Sequence, residues 1–327
     1  MPEILRTPNE RFVDLPGFEY TPHYIEIESL RVHYVDEGGS DKEPILLMHG
    51  EPSWSYLYHK MIPILLEAEF RVLAPDLIGF GRSDKLSEKK EYSYQHQVNI
   101  FTEYIRRLNL SNITLFCQDW GGLIGLRVVA NEPDRFARII TSNTGLPAAS
   151  DSQAEMMVKG FNDFIEAQGN IPLEEVIDIN STEVPPLPFL RWVAYSRNSP
   201  EFPVSKIIQI MTRKKLSDNV LAAYEAPFPD DSYKEGARIM PSLVISQLQE
   251  NNKVWEEVFM RWEKPFLTAF SDSDPITRGQ EKEFQTRIPG ADGQPHVIIK
   301  DAGHFLQEDK GEELAEIMVN FIESTSK

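Results

Sequence analysis

The segment Thr114-Leu115-Phe116-Cys117-Gln118-Asp119-Trp120-Gly121-Gly122 reads as a short apolar strand, a sharp turn at Asp119, and a helix continuing from Leu123 to Ala130. Cys117, Gly121 and Gly122 are small, as a strained strand-to-helix elbow requires, because backbone and neighbouring elements crowd the residue at its tip. A serine at that tip would need a base to deprotonate it before it could attack a carbonyl. A carboxylate is already ionised at neutral pH, and its natural target is an electrophilic sp3 carbon that carries its own leaving group. The segment therefore points to alkyl transfer and hydrolysis rather than to ordinary ester cleavage.

Outward from this elbow, strands alternate with helices. Tyr24 to Val35 holds two alternating segments broken near Ser29, which predicts an antiparallel hairpin at a sheet edge. Ile45-Leu46-Leu47-Met48 is a continuous apolar run, suited to a strand covered on both faces, and it ends at His49-Gly50-Glu51-Pro52. The pattern then predicts a helix from about Ser53 to Glu67, a strand over Arg71–Ala74, a turn-dense loop from Asp76 to Asp84, a helix over Tyr94–Leu108 and a strand at Ile139-Ile140. From Gly145 the character changes. Helical stretches at Ala154–Ala167, Ser205–Met211 and Ser217–Glu225 are separated by proline-rich breaks such as Val184-Pro185-Pro186-Leu187-Pro188, with no strong strand. Strand and helix alternate again with a long helix near 234–260, a strand over Pro265–Phe270, a helix from Gly279, the strand Val297-Ile298-Ile299 and a helix over Glu312–Ile322. Such a pattern predicts an α/β fold, a mostly parallel central sheet flanked by helices. The expected division is a core domain over 1–145 and 233–327 with an inserted helical cap over 146–232.

Composition narrows the function classes. The 327 residues carry 51 acidic and 33 basic side chains, a formal net charge of −18. That balance speaks against a nucleic-acid partner, which needs a basic face, and against anionic substrates guided by long-range attraction. No apolar run approaches the roughly 20 residues needed to span a bilayer, so no membrane partner is expected. Met1 to Arg6 lack a basic region leading into an apolar core, so no secretory signal is expected either. A single cysteine, Cys117, excludes an internal disulfide and suits a reducing cytoplasm; in the strand before the elbow it reads as a small buried residue rather than a reactive thiol. No metal-ligand cluster or phosphate-cradling glycine loop is recognisable, and no cofactor is expected. A monomer is the default state.

Three residues at strand ends complete a catalytic set in chain order: Asp119, an acid after the Phe266–Phe270 strand, and a histidine after the Val297–Ile299 strand. Nucleophile, acid, histidine is the order of an α/β-hydrolase fold. The histidine is His304, in Asp301-Ala302-Gly303-His304-Phe305, where small residues let the loop bring the imidazole over the elbow. His49 belongs to the glycine loop, and His23, His33, His59, His96 and His296 sit in contexts that read as surface or structural. The acid is Asp274 or Asp272 of Ser271-Asp272-Ser273-Asp274-Pro275-Ile276. Asp274 is favoured because it lies just before Pro275-Ile276, whereas Asp272 suits a turn cap. The other position such folds use for the acid reads Ser142-Asn143-Thr144 and holds no carboxylate.

With these residues in view, the chain resembles the haloalkane dehalogenases, in particular those with Glu after His-Gly and the acid after the later strand. The resemblance rests on His49-Gly50-Glu51-Pro52-Ser53-Trp54-Ser55-Tyr56-Leu57-Tyr58, Gln118-Asp119-Trp120-Gly121-Gly122, Ala302-Gly303-His304-Phe305 and Ala226-Pro227-Phe228-Pro229-Asp230; it is weakest between 150 and 190. It implies hydrolysis of a haloalkane to a primary alcohol, halide and a proton through an ester on Asp119, with His304, oriented by Asp274, activating water. It also implies backbone donors at Glu51 and Trp120 for the oxyanion, and a water-positioning role for the Glu51 side chain, whose other reading is turn stabilisation. Indole N–H groups are donors only, set in an apolar frame, and suit a departing halide. The resemblance assigns that task to Trp120 and, from Phe189-Leu190-Arg191-Trp192, to Trp192, leaving Trp54, Trp255 and Trp262 as packing residues. Phe189, Met240, Pro241, Val244 and Ile276 fall where the family lines its cavity; core packing suits each of them as well. The partners implied are a small halogenated alkane, water and the halide product.

Three competing readings share parts of this set. An epoxide hydrolase would use the same Asp119, His304 and acid but must protonate an alkoxide, usually with lid tyrosines, and Tyr195, Tyr224 and Tyr233 lie in or near the cap. A fluoroacetate-type dehalogenase would want arginines near the nucleophile, where Trp120-Gly121-Gly122 stands. A non-catalytic receptor on this scaffold predicts a broken triad, and all three members are present.

Overall fold

The computed structural model describes residues 3–179, 183 and 185–326. Met1 and Pro2, which entered the reading of the N-terminal segment, and Val184 of the proline-rich break lie outside them. Among the described residues one sheet has eight strands: β1 (His23–Ile27), β2 (Leu30–Glu37), β3 (Pro44–Met48), β4 (Arg71–Pro75), β5 (Ile113–Gln118), β6 (Phe136–Ser142), β7 (Phe266–Ser271) and β8 (Val297–Ile299). Their order across the sheet is β8-β7-β6-β5-β3-β4-β2-β1. The antiparallel hairpin β1–β2 forms one edge and turns at Glu28 and Ser29, both at positive φ. β2 runs antiparallel to β4, and every pair from β4 to β8 is parallel. β3 and β5 are buried along their whole length, which is why Ile45–Met48 reads as an unbroken apolar run and the strand before the elbow as mostly apolar.

Helices α1 (Ile62–Glu67), α2 (Tyr94–Arg107) and α3 (Trp120–Asn131) connect strands of the first half. α2 begins at Ser93, whose hydroxyl accepts the His96 N–H. The continuous helix expected from Ser53 to Glu67 is instead a 3-10 turn over Ser55–Tyr58 followed by α1. Pro63 has no N–H for a bond inside a longer helix, and it takes a place in the first turn, where none is needed.

Between β6 and β7 lie α4 (Asp151–Ala167), α5 (Leu173–Val176), α6 (Leu187–Asn198), α7 (Val204–Ile210) and α8 (Asp218–Glu225), with no strand among the described residues. α4 opens with a capping box between Ser150 and Gln153 and buries only Ala154, Phe161 and Ile165. α6 occupies what the sequence presents as a proline-rich break. Pro186 is its N-cap and Pro188 falls in its first turn, so these prolines start a helix rather than interrupt one. Pro241 has the opposite effect: the long helix expected near 234–260 is divided into α9 (Glu235–Ile239), a 3-10 segment over Met240–Gln247 and α10 (Leu248–Glu257). α11 (Glu281–Arg287) and α12 (Leu306–Thr325) close the fold; α12 begins earlier than its sequence pattern suggests and bends at Lys310.

The first turn of α12 docks the inserted helices. Glu308 and Asp309 are both fully buried. Glu308 accepts the Tyr224 hydroxyl from α8 at 2.5 Å and the Lys60 ammonium at 2.8 Å. Tyr224→Phe leaves this buried carboxylate short of one donor. Urea unfolding of that variant should show a loss of about 1–3 kcal/mol with an unchanged m-value; no loss would mean that the Tyr224–Glu308 bond does not hold α8 in place.

Candidate active site

Asp119 sits between β5 and α3 at φ 50°, ψ −126°, a left-handed backbone that a non-glycine residue adopts only under constraint from its surroundings. That constraint is visible in the glycines. A Cβ on Gly121 would run into the Met48 carbonyl, one on Gly122 into the Thr144 side chain, and one on Gly50 into Asp119 itself. The elbow is also bonded on its other side: the Asp119 N–H donates to the Asn143 carbonyl at 3.0 Å, and its carbonyl accepts the Thr144 hydroxyl at 2.7 Å.

The carboxylate presents its two oxygens to different groups. Oδ1 accepts the Glu51 backbone N–H at 2.8 Å, and Oδ2 lies 3.5 Å from His304 Nε2. The loop that carries Glu51 is pinned from beneath by Asp76, fully buried, which accepts the Ser55 and Arg82 N–H groups at 2.8 Å each and pairs with His33 at 2.7 Å. His304 Nδ1 lies 3.0 Å from Asp274 Oδ1, so Asp274 rather than Asp272 reaches the imidazole. Asp272 is partly exposed, 3.9 Å from Lys300.

Asp274 further accepts the Ile276 N–H at 2.8 Å, the Thr277 N–H at 3.2 Å and the Thr277 hydroxyl. Burial alone would raise its carboxyl, but the charge and hydrogen bond of His304, with these donors, hold it below the usual carboxylate range. Burial likewise opposes a charged imidazole at His304. The two flanking carboxylates, Asp274 and Asp119, outweigh it and push the group up to about 10.

Several supporting residues were not assigned a role from the sequence. Asn143, at the alternative acid position, donates through its amide to the carbonyls of Gly303 and His304 at 3.0 Å each and accepts the Ser271 N–H at 2.9 Å. The Ser271 hydroxyl donates to the Gly303 carbonyl at 2.7 Å. The Gln118 amide stands 3.1 Å from His304 Nε2 and 3.3 Å from its carbonyl. These are single polar residues at strand ends, with no spacing that marks them before the loops are seen together.

Glu51 is buried, and burial together with the Asp119 charge holds its carboxyl well above its ordinary value, toward the neutral form; His304 and a hydrogen bond from Trp192 act in the opposite direction. The five tryptophans divide cleanly by what their indoles do. Trp54 and Trp255 donate to the carbonyls of Ala223 and Leu146. Trp262 lies beneath Lys264, before β7. Trp192 faces Glu51 and stacks on Tyr195 at 5.8 Å, while Trp120 packs edge-on against Tyr94 at 5.2 Å and borders the cavity in front of Asp119.

That cavity encloses about 420 Å³ and is lined almost entirely by apolar side chains. Of the residues expected to line a substrate cavity, Phe189, Val244 and Ile276 border this one. Met240 and Pro241 do not. The wall is made one turn later, by Val244 and Ile245 of their 3-10 segment and by Leu248 at the start of α10, and Met240 is completely buried. Met157, Gly160 and Phe161 of α4 form a further wall that the sequence did not reveal. Cys117 is buried beneath the elbow, and burial pushes its thiol up, away from reactivity.

The haloalkane dehalogenase of Psychrobacter cryohalolentis K5 is 48% identical to this chain over 330 residues, covering 98% of each. This chain belongs to the haloalkane dehalogenase family. The haloalkane dehalogenase of Mycolicibacterium paratuberculosis is 43% identical and covers 97% of this chain and 98% of its own. Residues 43–311 match the alpha/beta hydrolase fold family. The tetrameric haloalkane dehalogenase of Paraglaciecola agarilytica NO2 superposes with a TM-score of 0.76 at 34% identity, over 96% of this chain and 97% of that one.

The charge state of His304 in this member of the family has a measurable consequence. Its folded pKa, about 10, lies above the ordinary 6.5, so its contribution to stability is complete below pH 6.5 and is lost as pH rises toward 10. Asp274 works in the opposite sense: lowered from 3.8, it contributes above that pH and loses its contribution as acid protonates it. His304→Gln should therefore flatten the decline of thermal stability between pH 6.5 and 10. An unchanged slope in the variant would mean the imidazole is not held charged in the resting protein.

Proposed function

We propose that the chain hydrolyses small haloalkanes to an alcohol, halide and a proton in two steps at Asp119. The observation that carries this reading is the division of labour within the Asp119 carboxylate, with Oδ1 held by the Glu51 N–H and Oδ2 left to face His304 at the head of an apolar cavity. In the first step Oδ2 attacks the sp3 carbon, the carbon–halogen bond breaks, and its electron pair leaves with the halide. The Trp120 and Trp192 indole N–H groups receive the halide, which needs donors but no proton.

Alkylation turns Asp119 into a neutral ester and removes one of the two charges that hold His304 protonated. The imidazole then loses its proton more readily and becomes a base only after the first step has occurred. In the second step His304 Nε2, oriented through Nδ1 by Asp274, takes a proton from water, and the oxygen attacks the ester carbonyl carbon. The charge that develops on Oδ1 meets the Glu51 N–H and, in this reading, the Trp120 N–H at the start of α3. Collapse breaks the acyl–oxygen bond, and the alcohol departs with the proton from His304. Asp119, left as the carboxylic acid, passes its proton to His304 to restore the resting pair, the one proton released overall being that lost by the imidazole after alkylation. The Glu51 carboxyl, held toward its neutral form, positions the water.

Epoxide hydrolysis would need acid groups over the cavity. Tyr195 donates to the Glu201 carbonyl and Tyr224 to Glu308, and neither they nor Tyr233 line the cavity. We assign the core to 1–145 and 233–327 and the cap to 146–232, supported by the run of helices without strands among the described residues and by the cavity walls that α4 and α6 supply. We further read the protein as a cytoplasmic monomer; a single buried cysteine, with no disulfide, supports the compartment.

Bromide release from 1,2-dibromoethane and 1-bromobutane, assayed beside styrene oxide hydrolysis, tests the reading. Release that disappears in Asp119→Ala is expected; diol formation without bromide would transfer the chemistry to epoxides. His304→Phe should release one equivalent of bromide and keep the alkyl group as added mass on Asp119, whereas continued turnover would remove the histidine from its role. Trp192→Phe deletes a donor to an anion, so bromide affinity, followed by tryptophan fluorescence, should fall about 10- to 100-fold. An unchanged affinity would place the second halide donor elsewhere.

A further inference from the structure

The loop that carries His304 is held from two directions. From the sheet, Asn143 and Ser271 hold the carbonyls of Gly303 and His304. From the inserted helices, the link between α7 and α8 holds its N–H groups. The His304 N–H donates to the Met211 carbonyl at 2.9 Å, and Gly303 has no room for a Cβ because that carbonyl and the Ile179 side chain press against it. Asp309 completes the second attachment. Fully buried at the start of α12, it accepts the Gly303 N–H at 2.8 Å through Oδ2, the Arg213 N–H at 3.0 Å through the same oxygen, and the Lys214 N–H at 2.7 Å through Oδ1.

We propose that Asp309 is a positioning residue that locks residues 211–214 to the His304 loop, so that placement of the imidazole for ester hydrolysis depends on the seating of the α7–α8 link. The inference rests on the two-step reading above. A carboxylate suits this place because it offers two acceptor oxygens and no donor to three converging N–H groups. An asparagine of the same shape turns one of those oxygens into an NH2 that faces an N–H. The two chemical steps depend on Asp309 unequally. Asp119 is set by the elbow and by the Glu51 N–H, neither of which touches Asp309, whereas His304 is adjacent to one of its three partners. Halide displacement therefore does not need the lock, and water activation does.

Asp309→Asn tests this in a rapid-quench experiment with 1-bromobutane, in which bromide and butanol are measured separately through the first turnover. Bromide formation should keep its unaltered rate, while butanol formation slows about 10- to 100-fold, the scale expected for a catalytic group displaced by about 1 Å. Intact-protein mass should then show the alkylated form accumulating. Equal slowing of both products would reduce Asp309 to a general structural role and overturn the proposal, as would no change in either. If bromide formation by the unaltered protein does not require Asp119, the two-step reading fails and takes this inference with it. Should Asp309→Asn fail to fold, amide hydrogen exchange on the unaltered protein decides. The amides of Arg213, Lys214 and Gly303 should open together with equal protection; rapid exchange at Lys214 beside a protected Gly303 would overturn the lock.

Discussion

The imidazole of His304 is suspended, almost fully buried, between two carboxylates, and the placement of nearly every other group follows from accommodating that charge. Burial resists ionisation at His304, Asp274 and Glu51 alike. The conflict is resolved by pairing the first two and by holding the third toward neutrality. A buried charge is tolerated only when its partners are close and its remaining hydrogen-bond capacity is filled. That condition explains why Asp274 takes two N–H groups and a hydroxyl besides the imidazole, and why Oδ1 of Asp119 is bonded before any substrate arrives.

The same device recurs in the loops around the site. Asp76 beneath the Glu51 loop, Asp274 in its own turn and Asp309 under the His304 loop are all buried aspartates that collect backbone N–H groups. Asp274 closes its own turn, whereas Asp76 and Asp309 tie together segments distant in sequence. Part of the acidic excess of the chain is thus internal, in carboxylates that hold loops, and not only a property of its surface. Glu308 extends the pattern to a side-chain pair, joining the hydroxyl of an inserted helix to a lysine of the core.

The parts of this arrangement that were legible in the sequence are those with a local chemical signature. The small residues around Asp119, the apolar runs of β3 and β5, and the glycine before His304 each state a steric requirement in their own neighbourhood. Prolines were the main source of misreading, because their effect depends on where a helix begins. Pro188 starts α6, whereas Pro63 and Pro241 divide helices that the apolar pattern runs together. The α4 wall of the cavity was invisible for another reason: the inward stripe of Ala154, Phe161 and Ile165 marks a helix packed on a core, while the wall residues Met157 and Gly160 lie among its exposed positions. Asn143, Ser271 and Asp309 act through backbone groups of distant segments, and no spacing records such a meeting.

Asn143 also bears on how freely this architecture could exchange its acid between the two positions available to it. An asparagine there becomes an aspartate by a single nucleotide change, so the raw material for relocation is always at hand. Yet its amide nitrogen is committed to two carbonyl oxygens of the very loop that carries the histidine. A carboxylate in its place would set oxygen against oxygen and push that loop away while Asp274 still performed the old role. The two arrangements are therefore separated by an unfavourable intermediate, and a lineage that adopted one of them would tend to stay with it.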